Sequence, residues 1–434
     1  MTYEPVSVVE IRCWDSRVGA LALDPRSGFY AFEYDPAWAK RGVELAPMTM
    51  PTKGRRGPSL FPNLPVRTYQ RLPAMIADSL PDRFGNALTT AYLAREGVGE
   101  GAITALDRLA YLGKRGVGAL EFRPQRGPKS RKATAIDLSV LVVQARTALS
   151  GQIDTEGHIA EAISQLIAVG TSAGGARPKA VVAWDRATNE LRSGQVPSDP
   201  GFEQWLLKLD GVGEDLGLGA SGQYGRIEFA YHRMAVASGI EMTECHLLEE
   251  GGRAHFMTRR FDRTLDGSKV HTQTLCAMEE LDFNQIGVHD YAQLFLLIDR
   301  LELGPDVRAE AFRRMVFNVA AANCDDHTKN VAFLLPQGGR WQLAPAYDVT
   351  HAHSLSNQWT RQHLMAVNGR TEGISRQDVD AVADRFMVPG ASAIVDHVVD
   401  VVAEWPAFAG EASVPSSTIE DVARDIQTWS GPLR

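Results

Sequence analysis

The chain has 434 residues, 44% of them hydrophobic, which is enough for two core-bearing domains or for the two lobes of one enzyme. Its net charge of −8 speaks against a protein whose whole surface grips nucleic acid, leaving room only for a local basic patch. Cys13, Cys245, Cys276 and Cys324 are far apart and form no CxxC pair, so zinc and disulfide frameworks are set aside.

No apolar run approaches the length of a membrane span, and MTYEPVSVVEIRCWD has no basic segment followed by an apolar one. The expectation is a cytoplasmic protein with no membrane contact.

In chain order, SVVEIRCW and RSGFYAFEYD alternate apolar and polar residues between turns, which predicts a small β-rich unit. SLPDRFGNALTTAYLAREG predicts a helix with Ser79 and Asp82 as start signals, and ALDRLAYLGKRG a second one ending at Gly116. RPQRGPKSRK, residues 123 to 132, reads as an exposed linker. IDLSVLVVQARTALSG and GHIAEAISQLIAVG then read as helices. The pattern changes at TSAGGARPKAVVAWDRATNELRSGQ, where a Gly-rich loop feeds the strand KAVVAWD, and FEQWLLKLDG adds another strand of an antiparallel sheet. GRIEFAYHRMAVASGI places Ile227, Ala230, Met234 and Ala237 on one helical stripe, and in ECHLLEEGGRAHFMTRRFDR the EEGG makes a hairpin turn. DYAQLFLLIDRLEL and PDVRAEAFRRMVFNVAAA predict long helices, the second with Phe312, Met315, Val316 and Val319 on its apolar face.

That helix runs into NCDDHTKN, residues 323 to 330, a stretch too short and too polar for core. Beyond it lie an apolar strand, a PQGGR turn, a second strand and Asp348. Phosphoryl transfer needs a side chain that accepts the attacking hydroxyl's proton and hard oxygen ligands for Mg²⁺ beside the nucleotide phosphates. Asp325 and Asn330 have the D-x-x-x-x-N spacing of a kinase catalytic loop, and Asp348 lies where a metal-binding aspartate should follow. Taken singly, a DxxxxN loop is common and Asp348 would serve as a turn cap; the joint pattern is much harder to obtain by chance. Asp326 reads as a solvated or bracing neighbour, not as half of an acid/base dyad. His327 braces the loop in preference to exchanging protons, and Lys329 either neutralises phosphate or is solvated.

A kinase also needs a lysine on a strand for the ATP phosphates. Lys208, inside the apolar run WLLKLD, is the candidate, against the alternative that it snorkels at a strand edge. Glu228, near the start of the next helix, is its candidate partner. The loop GTSAGGARPK offers unobstructed backbone N–H groups at Gly174, Gly175, Ala176, Arg177 and Lys179, although it matches neither GxxxxGK[ST] nor GxGxxG.

With these residues in view, the chain resembles the HipA family of bacterial serine/threonine kinases, toxin components of toxin-antitoxin pairs. LPDRFGN, VGALEF, TSAGGARPKA, WLLKLDG, RRFDR, CDDHTKN, LAPAYD and QWTRQHLMAVNGR carry the resemblance over nearly the whole length. It implies an α+β, two-lobed fold that is distantly protein-kinase-like or phosphoinositide-3-kinase-like. The expected parts are an N-terminal subdomain over 1–125, an N-lobe over 133–258 and a helical C-terminal lobe over 259–434. By matching motif, Asp325 would be the catalytic aspartate, Asn330 and Asp348 would hold Mg²⁺, and Lys208 would contact ATP, with His327 and Lys329 close to it. Met257, Thr258, Arg259, Arg260 and Phe261 would form the interlobe hinge, whose backbone reads adenine, and Ser172 the site of inactivating autophosphorylation. The implied partners are a small helix-turn-helix antitoxin of HipB type, through which alone DNA is reached, and a translation-related protein substrate such as an aminoacyl-tRNA synthetase. Arg177 and Pro178 stand where some family members carry polar or acidic residues, which leaves the loop's phosphate contacts open, and Gln273 with Thr274 stand where many have an acidic pair, so the role of that pair is not carried over. Two rival readings use the same parts: a small-molecule kinase, and a silent co-repressor module acting with its antitoxin.

Overall fold

The computed structural model describes residues 4–54, 57–81, 83–128, 136–138, 140–142, 178–195, 201–210 and 224–434. The two helices expected over 136–170 and the Gly-rich loop up to Arg177, with Ser172, Gly174, Gly175 and Ala176, lie outside these residues apart from short pieces. Among the described residues no helix is long and apolar enough to cross a membrane.

The N-terminal unit is built on β1 (Val8–Cys13), β2 (Ser16–Leu23), β3 (Tyr30–Tyr34) and β4 (Leu120–Arg123), joined antiparallel in the order β3-β2-β1-β4. Period-two alternation buries Val9, Ile11 and Cys13 on the face that packs against helices. Helix α1 (Arg83–Arg95) comes after the SLPD segment, and α2 (Ala105–Leu112), one of those packed on the sheet, begins with a capping box between Thr104 and Asp107. It stops at Leu112, ahead of the expected Gly116, because Gly113 takes a φ of 58° and turns the chain out of the helix.

Next in the chain is a five-stranded antiparallel sheet: β5 (Lys179–Asp185), β6 (Glu190–Ser193), β7 (Glu203–Lys208), β8 (Cys245–Glu250) and β9 (Arg253–Arg259), in the order β6-β5-β7-β9-β8. The EEGG hairpin is formed with Gly251 and Gly252 at positive φ. The register sets Lys179 directly opposite Lys208. Helix α3 (Tyr224–Ala237) lies against this sheet, and a Cβ at Gly225 would sit 1.9 Å from the Ala254 carbonyl oxygen, so only glycine allows the approach.

The rest of the chain is β10 (His271–Thr274), α4 (Leu275–Met278), β11 (His289–Asp290), α5 (Tyr291–Arg300), α6 (Pro305–Ala320), β12 (Ala332–Leu335), β13 (Gln342–Leu343) and β14 (Met365–Ala366). It ends in α7 (Arg376–Phe386), α8 (Ala391–Ala403), α9 (Trp405–Glu411) and α10 (Ser416–Ser430). Phe312, Met315, Val316 and Val319 of α6 are all fully buried in the largest core, which α3 shares through Ala230, Tyr231 and Met234. The strands form a β10-β12-β13 sheet and a short parallel β11–β14 pair.

One buried carboxylate ties the N-terminal unit to the segment after β9. Asp262 Oδ2 accepts the Gly118 N–H at 2.7 Å and meets Arg260 at 2.7 Å and Arg263 at 2.8 Å, while Arg263 donates to the carbonyls of Gly118 and Gly116. Burial works against its ionisation, but the two guanidinium groups outweigh it and hold the carboxyl well below its usual range. The VGALEF and RRFDR motifs therefore meet in space. Asp262→Ala is expected to cost about 3–5 kcal/mol by leaving both arginines without their anion, as read from urea unfolding.

Candidate active site

Strand alternation decides which side chains face the cleft between the five-stranded sheet and the β10-β12-β13 sheet. On β7, Leu206 and Lys208 line it while Trp205 and Leu207 are buried on the other face. On β9, Phe256 and Thr258 line it, followed by Arg259, Arg260 and Phe261. Met257, the first residue of the expected hinge segment, lies within β9, with its side chain packed in the core behind the sheet and its backbone paired between Leu207 of β7 and His246 of β8. Leu206, Phe256, Phe261, Ala332 and Val349 give the cleft an apolar slot.

At one end of the slot lies a cluster of charge. Lys208 Nζ donates to both Glu228 Oε1 and Asp348 Oδ1, and Lys179 Nζ stands 3.6 Å from Asp348 Oδ2. Lys208 is 9% exposed and Glu228 2%, so this lysine does not snorkel to solvent. Burial opposes its charge most strongly, yet Asp348 and Glu228 together raise it above the ordinary lysine value. Asp348 shows the converse: burial pushes its carboxyl up, and Lys179 followed by Lys208 brings it well below the usual range. Its φ of 53°, uncommon for a residue with a side chain, aims the carboxylate at the lysines as the chain leaves β13.

The polar loop after α6 splits its two carboxylates. Asp325 is 40% exposed at the side chain; its backbone carbonyl accepts from Asn330 Nδ2 at 2.8 Å, which closes the D-x-x-x-x-N loop on itself. Asp326 has a fully buried side chain, and it accepts from Tyr291 Oη at 2.9 Å, from His363 Nδ1 at 3.0 Å and from the Leu364 N–H at 2.8 Å. It is thus a brace, and not a solvated one. His327 braces as well: its Nδ1 accepts the Lys329 N–H at 3.2 Å and caps the turn over Thr328–Asn330. Lys329 places its Nζ 4.7 Å from the Phe283 ring centre and lines the cleft with Asn330.

The structure therefore brings together Lys208, Glu228, Lys179, Asp348, Lys329 and Asn330, and Asp325 is tied to this set through the bond from Asn330 to its backbone carbonyl. Arg177, like the serine and glycines of its loop, lies outside the described residues. Sequence reasoning missed the wall supplied by the N-terminal unit, where Asp78, Ser79 and Val117 line the same cleft. Asp78 accepts from the Thr274 N–H at 2.7 Å and its hydroxyl at 2.8 Å. Burial pushes its carboxyl up, against the pull of Lys329. Also missed was Trp359, whose indole nitrogen reaches Asp325; the only signal was its place in the QWTRQH motif.

Two family matches cover most of the chain: a HipA N-terminal domain over residues 9–123 and a HipA-like C-terminal domain over 171–406. Among solved structures, the chain is similar to HipA of Shewanella oneidensis MR-1, determined as a HipA, HipB and operator DNA complex. That likeness has a TM-score of 0.67 at 16% identity, covering 98% of this chain and 96% of that one, and it shows the mixed α/β two-lobed fold. The Helicobacter pylori proinflammatory kinase CtkA overlaps more loosely, at a TM-score of 0.37 and 11% identity over 60% of this chain and 91% of its own. No curated protein matches the chain. With the C-terminal domain match alone spanning more than half its length, this chain belongs to the HipA family.

Proposed function

We propose that this chain is an ATP- and Mg²⁺-dependent protein serine/threonine kinase that acts as a toxin and arrests growth. The observation that carries the reading is the convergence, from positions far apart in the sequence, of Lys208, Glu228 and Asp348 in one cleft with Asn330, whose amide holds the Asp325 backbone. The apolar slot suits an adenine ring, and Lys208 and Lys179 suit the phosphates. The carboxylate of Asp348 and the amide oxygen of Asn330 are hard donors of the kind Mg²⁺ takes, and Asp348 is held ionised among ammonium groups, so the residues fit the ion. When bound, Mg²⁺ supplies neutralisation of the phosphate charge. Asp325, the one exposed carboxylate of the loop, orients the acceptor hydroxyl and takes its proton as the oxygen bonds to the γ-phosphorus and ADP leaves. Glu228 fixes the reach of Lys208, and Asn330 fixes the backbone of Asp325.

The family and the S. oneidensis complex support a HipB-like helix-turn-helix antitoxin as partner, with DNA reached through it. The substrate we propose is a translation-related protein such as an aminoacyl-tRNA synthetase, with autophosphorylation of Ser172 as the off-switch. Labelled ATP offered with a panel of proteins and metabolites tests the reading: label is expected on protein serine or threonine. Lys208→Met is expected to cut incorporation at least about tenfold, with folding checked by thermal melting. Label on a metabolite alone would replace the protein acceptor by a small one. A wild-type protein that neither binds nor turns over Mg-ATP overturns the kinase reading.

A further inference from the structure

Asn330 holds the backbone of Asp325, but no hydrogen bond from within the D-x-x-x-x-N loop reaches its carboxylate, which is 40% exposed and has His327 Nε2 at 3.7 Å. A half-exposed aspartate on a free χ1 samples several rotamers, and a proton acceptor that wanders by an ångström loses much of its rate. The restraint comes from 34 residues downstream. Trp359 Nε1 donates to Asp325 Oδ1 at 2.6 Å. His327 Nδ1 accepts the Lys329 N–H, and its Nε2 faces the same Asp325 oxygen at 3.7 Å, too far for a direct bond. One carboxylate oxygen is thereby engaged on the protein side, and Oδ2 is left for the incoming hydroxyl.

The indole is itself fixed. It meets the His327 ring edge-on at 6.0 Å and the Phe283 ring at 6.4 Å, and the Trp359 backbone N–H donates to Asn357 Oδ1 at 2.9 Å in a closed turn. The aromatic pair and the loop turn together set the donor direction before any substrate arrives.

We propose that Trp359 is a positioning residue that selects the rotamer of Asp325 and leaves its Oδ2 as the proton acceptor, an inference resting on the kinase reading above. Trp359→Phe keeps an aromatic ring in the cluster and removes the N–H. In the full-length chain it is expected to lower kcat for transfer by roughly 10- to 100-fold while the KM for ATP stays within about twofold. A structural role alone would move thermal stability, or kcat and KM together. The bond is read independently by ¹H–¹⁵N NMR: the Trp359 indole resonance, assigned by its loss in Trp359→Phe, is expected to move upfield in Asp325→Ala. Wild-type kcat in Trp359→Phe, or an unmoved indole resonance in Asp325→Ala, overturns the inference and leaves the kinase reading standing. A wild-type protein that transfers no phosphate from ATP overturns the kinase reading, and this inference with it.

Discussion

Asp326→Ala is expected to lose about 3–5 kcal/mol of stability, a large share of the margin of any domain. Its carboxylate is paired with His363, which is wholly buried and also faces Trp429 edge-on at 4.7 Å. Burial alone would strip that imidazole of its proton; Asp326 outweighs it, and with a smaller push from Cys324 the ring is held at about 10. The sign of the pH dependence is set by that difference. The folded ring keeps its proton up to about pH 10 while the unfolded ring releases it near 6.5, so folding takes up a proton between those values. The stabilisation is complete below the lower value and is lost as pH climbs through the upper one. Urea unfolding at roughly pH 6 and pH 9 should show wild type less stable at the higher pH relative to Asp326→Ala, whose own His363 prefers to be neutral. Equal slopes in the two proteins would show that the buried pair is not charged.

Asp325→Asn, one residue away, is expected to do the opposite. The side chain is half in solvent, and asparagine retains an Oδ1 to accept the Trp359 indole, so stability should stay within about 0.5 kcal/mol of wild type. Phosphate transfer should fall by about 10²- to 10⁴-fold, the usual worth of a positioned proton acceptor. Labelled-ATP assays on protein matched by melting temperature check this. An Asp325→Asn protein of undiminished activity would move the catalytic role elsewhere. The pair must be read in both stability and activity, because an inactive Asp326 variant could simply be unfolded.

Much of this arrangement is legible in the sequence, for a physical reason. Strand alternation, helical stripes, the EEGG hairpin and the spacing of Asp325 to Asn330 are local patterns, and local backbone geometry enforces them. Lys208 inside WLLKLD was legible because a lysine in an apolar strand needs a counter-charge, and Glu228 supplies it. What escaped depends on pairings between distant segments. Asp326 looks as polar as Asp325 in NCDDHTKN, and only the return of His363 and Leu364 to the loop buries it. The return of Trp359 to Asp325 leaves no periodic trace, nor does the approach of Asp78 to Thr274 across 196 residues.

The tie at Asp262 bears on how such a chain can change through descent. The core of the N-terminal unit also includes Cys276, Ala277 and Leu335 from beyond β9, and Arg263 grips the carbonyls of Gly116 and Gly118. The two family domains are thus sequential in the gene but interlocked in the molecule. Recombination that exchanged one of them would set a foreign surface against this tie, so a chimaera is expected to fold best when its Gly116–Gly118 turn and its Asp262 come from the same parent.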